Sequence, residues 1–390
     1  MSGMARIRGS GAARPLPWDG LLLAATLLLV GLGVVMVASA SLHLGDRFGD
    51  AFHYLQRHLL ALGLGTVGAL LIARTPTAWW QRSSALLYFF GIGLLVLVLI
   101  PGVGKQVNGA VRWVAVGPFN LQTSEFMKLF VILYLAGYLV RRQVEVAHSV
   151  WAFLKPMLLL VLAAALIMLQ PDFGTTAVLL ATALGMLFLG GAPLWQFAVL
   201  LAGALAALVA LVVASPYRME RITSFLNPWA DPLDSGYQLA QALIAFGRGE
   251  WTGVGLGNGI QKQFYLPEAH TDFLMAVIGE EFGLLGTLVI VALFGLVVWR
   301  AYAIGAVAEA RGARFAAYVA YGIGLWIGLQ AFINIGVNVG LLPTKGLTLP
   351  FMSYGSNSLI VCLLAVGMLA RIQFENRRGD AEGEAPWLRA

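Results

Sequence analysis

Thr271-Asp272-Phe273-Leu274-Met275-Ala276-Val277-Ile278-Gly279-Glu280-Glu281-Phe282-Gly283 opens a run that stays apolar from Leu284 to Trp299, and its reading decides the fold. About 20 mostly apolar residues suffice for one helix to cross the hydrocarbon of a bilayer, so the stretch is long enough to span. Yet it carries three carboxylates toward one end, and charge at a membrane boundary is costly and marks functional sites. Asp272 lies where a long polar connection enters the helix. There, Thr271 or Asp272 acts as a cap favoured by the helix dipole, or Asp272 takes part in chemistry. Glu280 is eight residues further on, roughly 12 Å along a helix axis. Two buried carboxylates without partners would cost several kcal/mol, so at least one is neutral or paired. An ion pair or hydrogen bond between helices is the plainer reading of Glu280 and Glu281.

The rest of the chain agrees with a membrane solvent. It is 59% hydrophobic and 11% charged, with a mean hydropathy of +0.81, whereas a soluble surface needs about 25% charged residues. Ten spans fall near 20–41, 56–73, 84–101, 124–140, 152–169, 173–190, 194–214, 271–299, 315–340 and 353–371. The expected fold is an all-α polytopic integral membrane protein. It has a cytoplasmic tail 1–19, a membrane domain 20–372 with one long extracytoplasmic loop 215–270, and a second cytoplasmic tail 373–390. Both termini lie inside because 15 of the 25 Lys and Arg residues then fall on the inner side, as the positive-inside rule requires. Twelve of the 19 acidic residues lie at the outer side, which puts any chemistry there. The net charge of +6 comes from arginines at the ends of apolar runs rather than from a basic patch, which excludes nucleic acid as a partner. Cys362 is the only cysteine and lies in an apolar run, so neither an internal disulfide nor a thiolate metal cluster is available. The first apolar run ends in Ala38-Ser39-Ala40, like a cleavage site, but it exceeds a signal-peptide core and reads as a retained helix.

Other polar residues stand out against this background. In the long loop, Asp234 and Ser235 can cap a short helix that puts Tyr237, Ala240, Leu243 and Ile244 on one face, lying in the outer interface. Gly253, Gly255, Gly257 and Gly259 have the wrong spacing for a dinucleotide fingerprint and read as a flexible turn. Pro343-Thr344-Lys345-Gly346 lacks the glycines of a nucleotide loop. Glu125 and Lys128 can pair across one turn, as architecture. Arg57 is either a phosphate ligand or a residue snorkelling to headgroups. Gln330, Asn334 and Asn338 recur at every fourth residue, a stripe that faces protein or a water-filled cavity and hydrogen-bonds between helices.

Five motifs in order resemble one family. Leu266-Pro267-Glu268-Ala269-His270-Thr271-Asp272-Phe273 followed by Gly279-Glu280-Glu281-Phe282-Gly283 resembles the signature of the SEDS proteins (shape, elongation, division and sporulation). So do Gln170-Pro171-Asp172-Phe173-Gly174-Thr175, Ser124-Glu125-Phe126-Met127-Lys128, and Gly340-Leu341-Leu342-Pro343-Thr344-Lys345-Gly346-Leu347-Thr348-Leu349-Pro350. Asn227-Pro228-Trp229 and Ser235-Gly236-Tyr237-Gln238 are closer to the division branch of that family than to its elongation branch. One departure is Ser356, where the family has glycine; it touches a tight backbone role and not the reaction.

The resemblance implies a peptidoglycan glycosyltransferase with ten membrane helices that polymerises lipid II at the septum and releases undecaprenyl pyrophosphate. It also implies binding of the nascent glycan strand, a class B penicillin-binding protein as partner, and the divisome proteins FtsQ, FtsL and FtsB. The family's essential aspartate maps onto Asp272 as general base. The pyrophosphate would be stabilised by Arg57, Arg218, Arg221 or Lys345, or by a divalent cation (Mg or Mn), with Ser353 also expected to bind substrate. Glu125, Lys128, Glu280, Glu281, Gln330, Asn334 and Asn338 are expected to support the site. The rival functions are a lipid II flippase, against which stand the absence of an inverted repeat and the clustering of acids at one face, and a non-catalytic division scaffold.

Overall fold

A computed structural model of the protein describes residues 18–382, apart from 46–48, 108, 109, 118, 235, 345 and most positions between 194 and 224. Ten α-helices and one small sheet follow in the order α1 Gly20–Gly45, α2 His53–Arg74, α3 Thr77–Leu99, β1 Gly104–Val107, β2 Ala110–Val116, β3 Phe119–Gln122, α4 Thr123–His148, α5 Val150–Met168, α6 Phe173–Leu189, α7 Tyr237–Gly249, α8 Leu274–Ala310, α9 Arg314–Asn338 and α10 Ser356–Glu382. Among the described residues, eight of these helices are long and apolar enough to cross a membrane, and α6 is a shorter apolar helix. The expected span at 194–214 lies largely outside the described residues, as do Arg218 and Arg221.

The architecture is the expected helical membrane bundle. One small element adds to it: β1, β2 and β3 form an antiparallel meander, with Trp113 opposite Gln122 and Val114 opposite Leu121. Its signal, the alternation in Ala110-Val111-Arg112-Trp113-Val114, is short and sits between two spans whose apolar runs dominate the reading. Helix α10 continues past residue 372 to Glu382.

Close helix packing rests on small residues, as membrane interfaces require. The α2–α10 contact is one such close approach: a Cβ on Gly65 would stand 2.7 Å from Leu363, and one on Gly367 would stand 2.4 Å from the Ala69 carbonyl. Helix α4 is the central post, with Met127, Ile132, Leu133, Leu135 and Leu139 fully buried. Its buried Lys128 pairs with Glu125 at 2.9 Å, donates to Gln330 Oε1 of α9 at 2.7 Å and lies over the Trp326 ring at 5.0 Å. Helices α1 and α8 are tied by Asp19, just before α1, and Arg300 of α8, whose guanidinium donates to the carboxylate through Nε at 3.1 Å and through a second nitrogen.

Helix α8 is broken at Gly283, which has φ 65° and ψ −162°, a conformation essentially reserved for glycine. The break frees backbone groups that the strap 249–262 then satisfies. Leu284 and Leu285 N–H donate to the carbonyls of Glu250 and Trp251, while Val254 and Gly255 N–H donate to those of Glu280 and Glu281, all between 2.9 and 3.1 Å. Gly253 and Gly255 (φ +80° and +96°) and Gly249 allow this approach; a Cβ on Gly249 would stand 1.8 Å from the Gly279 carbonyl. The glycine run is therefore a docked strap rather than a flexible turn, for the physical reason that open backbone groups at a helix break must find partners.

Candidate active site

The strap leads into residues 263–273 and so delivers Asp272 to the N-terminal end of α8. Its anchors are the two glutamates that composition alone left unexplained. Buried Glu280 accepts from Ile260 N at 2.9 Å and Gln261 N at 3.1 Å, and Arg248 of α7 stands 3.2 Å away. Buried Glu281 pairs with Lys262 at 2.5 Å and accepts from Ser39 of α1 at 2.9 Å, while Lys262 also donates to Ser39 Oγ at 2.7 Å. The expected ion pairing is present at both positions, and it staples strap, α8 and α1 together. Lys262 and Ser39 also line a largely apolar cavity of about 810 Å³ between α1 and the strap.

Capping does not account for Asp272. Helix α8 starts at Leu274 with Phe273 in the capping position and no side-chain cap, and Thr271 Oγ1 donates instead to Glu268 Oε2 at 2.8 Å. The Asp272–Glu280 spacing is likewise not helical throughout, since residues 271–273 form a turn. Asp272 is half-buried, and among the described residues no hydrogen bond reaches its carboxylate. Burial, reinforced by the nearby Glu268 charge, raises its pKa from 3.8 to about 7 against the opposing influence of Arg112. Gly346 faces it closely enough that a Cβ there would stand 3.0 Å from Asp272 Oδ2.

The polar stripe of α9 supports this corner. Asn334 and Asn338 each donate through Nδ2 to the Asp272 carbonyl at 2.9 Å, and Gln330 donates to the Thr348 carbonyl at 3.0 Å. Gln330, Asn334 and Asn338 therefore face protein, and hydrogen-bond across helices as the spacing predicts.

The expected substrate contacts distribute unevenly. Arg57 is exposed on the first turns of α2, and its guanidinium lies by Tyr354, where it partly offsets the upward push of burial on that phenol. Tyr354 stacks in turn with Tyr54 (5.2 Å) and His270 (5.4 Å), the residue two before Asp272. Lys345 lies outside the described residues, while Gly346 borders the carboxylate. Ser353 is buried, and its Oγ accepts from Leu349 N at 2.9 Å, so its hydroxyl locks a turn. Ser356 begins α10, and the adjacent Asn357 donates to the Asn120 carbonyl at 2.7 Å, joining that helix to β3.

Arg112 is the residue that sequence reasoning missed. It sits on β2 and donates to the carbonyls of Gln170 (3.0 Å) and Pro171 (2.5 Å). The next residue, Asp172, caps α6 through Thr175 N at 3.2 Å and accepts from Ser124 Oγ at 3.1 Å. The charges of Arg112 and Asp172 are both felt at Asp272, so the meander supplies one wall of the site. The only available signal was an arginine inside an alternating apolar stretch. No group of three or more His, Cys, Asp or Glu that could hold a metal ion is present among the described residues.

The geometry thus offers one proton acceptor tuned close to neutrality, before the N-terminal end of a membrane helix, with the positive charge of Arg112 acting on it. Comparison with known proteins agrees in scale and extent. Residues 20–378 match the model of the FtsW/RodA/SpoVE family, described as cell cycle proteins. A protein of Allochromatium vinosum named probable peptidoglycan glycosyltransferase FtsW is 58% identical over 96% of this chain and 95% of its own. A protein of the same name from Nitrosococcus halophilus is 56% identical over 94% and 95%. Among solved structures, a chain from a study of polymerization and crosslinking by a peptidoglycan synthase complex superposes with a TM-score of 0.75 at 30% identity, covering 93% of this chain and 99% of that one. The rod-shape-determining protein RodA of Thermus thermophilus gives 0.68 at 28% identity, covering 92% and 97%. With nearly its whole length matched by the family model and by relatives above half identity, the chain belongs to the FtsW/RodA/SpoVE family of cell cycle proteins.

Proposed function

We infer that the chain acts as its relatives are named: it is a peptidoglycan glycosyltransferase that extends glycan strands on the outer face of the bacterial inner membrane. The substrate is lipid II. The 4-hydroxyl of the acceptor's N-acetylglucosamine attacks the anomeric carbon of the growing chain's N-acetylmuramic acid. A C–O bond forms to that carbon, the bond to undecaprenyl pyrophosphate breaks with its electron pair, and Asp272 takes the hydroxyl proton. One base and one displacement fit inversion from α to β. General base catalysis of this kind contributes about 10²–10⁴-fold. The pyrophosphate already leaves as an anion, so cations suffice to stabilise it. Arg57 stands ready for that task, with Lys345, Arg218 and Arg221 as further candidates. A divalent cation (Mg or Mn) carried on the pyrophosphate would supply the same stabilising charge.

The observation that carries the reading is the Asp272 carboxylate, which accepts no hydrogen bond from the described residues and whose pKa burial raises to about 7. The solved synthase complex supports a partner for this chain, and we assign that partner to the class B penicillin-binding proteins, with FtsQ, FtsL and FtsB beside it at the division septum. The test is polymerisation of lipid II by the purified chain with its transpeptidase partner, comparing the parent with Asp272→Asn. A polymerase loses glycan synthesis while complex formation survives. A flippase makes no polymer even as parent, and a scaffold loses nothing on substitution.

A further inference from the structure

A general base works only if it is held, and the turn before α8 is held by amides from another helix. In an uninterrupted helix the carbonyl of residue 272 would accept from the N–H of residue 276. Here Ala276 N–H bonds instead to the Phe273 carbonyl at 3.0 Å and to Asn338 Oδ1 at 3.1 Å. Asn338 returns its own N–H to the Asp272 carbonyl, so one carboxamide stands between the two groups that would otherwise close a helical turn. Asn334 supplies the second donor to that carbonyl and also reaches the Leu347 carbonyl at 2.5 Å. Both asparagines are buried, at 2% and 0% exposure, where an unmade hydrogen bond is expensive. Leu347 follows Gly346, whose Cα faces the Asp272 carboxylate.

We propose that Asn334 and Asn338 are positioning residues for glycan polymerisation: Asn338 keeps Asp272 out of the helix so that its carboxylate points to the acceptor. Asn334 sets the separation between that carboxylate and the Gly346–Leu347 segment. The proposal rests on Asp272 being the base. Neither asparagine touches substrate, and both act through the Asp272 main chain.

The experiment measures lipid II polymerisation by the purified complex for Asn334→Ala, Asn338→Ala and Gly346→Ala, the last placing a methyl 3.0 Å from Asp272 Oδ2 at an exposed loop position that leaves helix packing untouched. The expected result is a fall in kcat of roughly 10- to 100-fold with KM for lipid II held within about threefold, as misplacement of a reacting group by an ångström costs that much. The midpoint of the pH–rate profile should also move in all three, because the carboxylate changes its surroundings, whereas a purely structural loss leaves the midpoint in place. If the asparagine variants do not fold, Gly346→Ala decides alone. Parent-like kcat in folded variants, or equal losses in kcat and affinity with an unmoved midpoint, overturns the proposal. Full activity of Asp272→Asn would instead overturn the base itself, so the two failures are distinct.

Discussion

Lowering the pH tests Asp272 directly, because its environment has moved the carboxyl far from its ordinary range. Burial and the Glu268 charge hold it near 7 where an unperturbed aspartate titrates near 3.8. The base must be ionised to accept a proton, so the rate follows the carboxylate fraction: about 90% at pH 8, about half at pH 7, and about 1% at pH 5. The logarithm of kcat/KM should therefore rise with unit slope below pH 7 and flatten above about pH 8, leaving roughly a 100-fold deficit at pH 5. An ordinary aspartate would give a flat profile over the whole interval. The assay is the initial rate of glycan polymerisation by the purified complex, with fluorescent lipid II in buffers of constant ionic strength. Any residual rate of Asp272→Asn serves as control, and it should lose the slope, which separates titration of the base from titration of the substrate pyrophosphate. A parent profile flat from pH 5.5 to 8, or a slope shared by the asparagine variant, would refute the reasoning.

Other expectations follow from the same contacts. Because the folded state binds the Asp272 proton more tightly than the unfolded chain does, ionisation costs stability across the window from about pH 4 to about pH 7. Asp272→Asn should thus raise Tm at pH 8 and change it little near pH 4, as read by nanoscale fluorimetry in detergent. Lys262→Ala leaves Glu281 buried with only Ser39, a loss on the order of 3–5 kcal/mol; Lys262→Met with Glu281→Gln should recover most of it in the same melting assay. Gly283→Ala puts a Cβ 2.5 Å from Gly253 N at a left-handed backbone position, so undocking of the strap, seen as rapid proteolysis at residues 249–262, is expected at near-normal helix content.

The spans were legible because twenty apolar residues in a row have few alternatives, and α1, α2, α5, α6 and α9 agree with their sequence limits to within a few residues. Helix α3 starts at Thr77 rather than near 84 because Trp79, Trp80 and Arg82 are amphipathic residues that a hydropathy reading discounts. The supporting roles of Glu125, Lys128 and Gln330 were visible in spacing, since a polar group within a membrane bundle must find a partner. The meander and Arg112 were not visible, because strands of four to seven residues carry too little periodicity to compete with flanking helices. The strap was misread for a related reason: glycines announce unusual backbone geometry, but whether that backbone moves freely or is docked depends on a break thirty residues away at Gly283. Ser353 shows the limit of motif reading, as its place in a signature run does not reveal that its hydroxyl serves Leu349 N.

With Asp272 as the proposed base, the break in α8 also sets how deep the proposed reaction would occur. From Gly283 to Arg300, which pairs with Asp19 and lies 4.9 Å from the Trp299 ring, there are 17 residues, or roughly 26 Å of helix. That length nearly equals the greasy slab of a bilayer, about 30 Å. Everything beyond the break therefore stands at headgroup level, where the diphosphate of a polyprenyl lipid rests while its tail remains dissolved below. A substrate of this kind needs no lifting out of its leaflet to reach Asp272, and successive sugars can be added while the anchor drifts sideways in the plane.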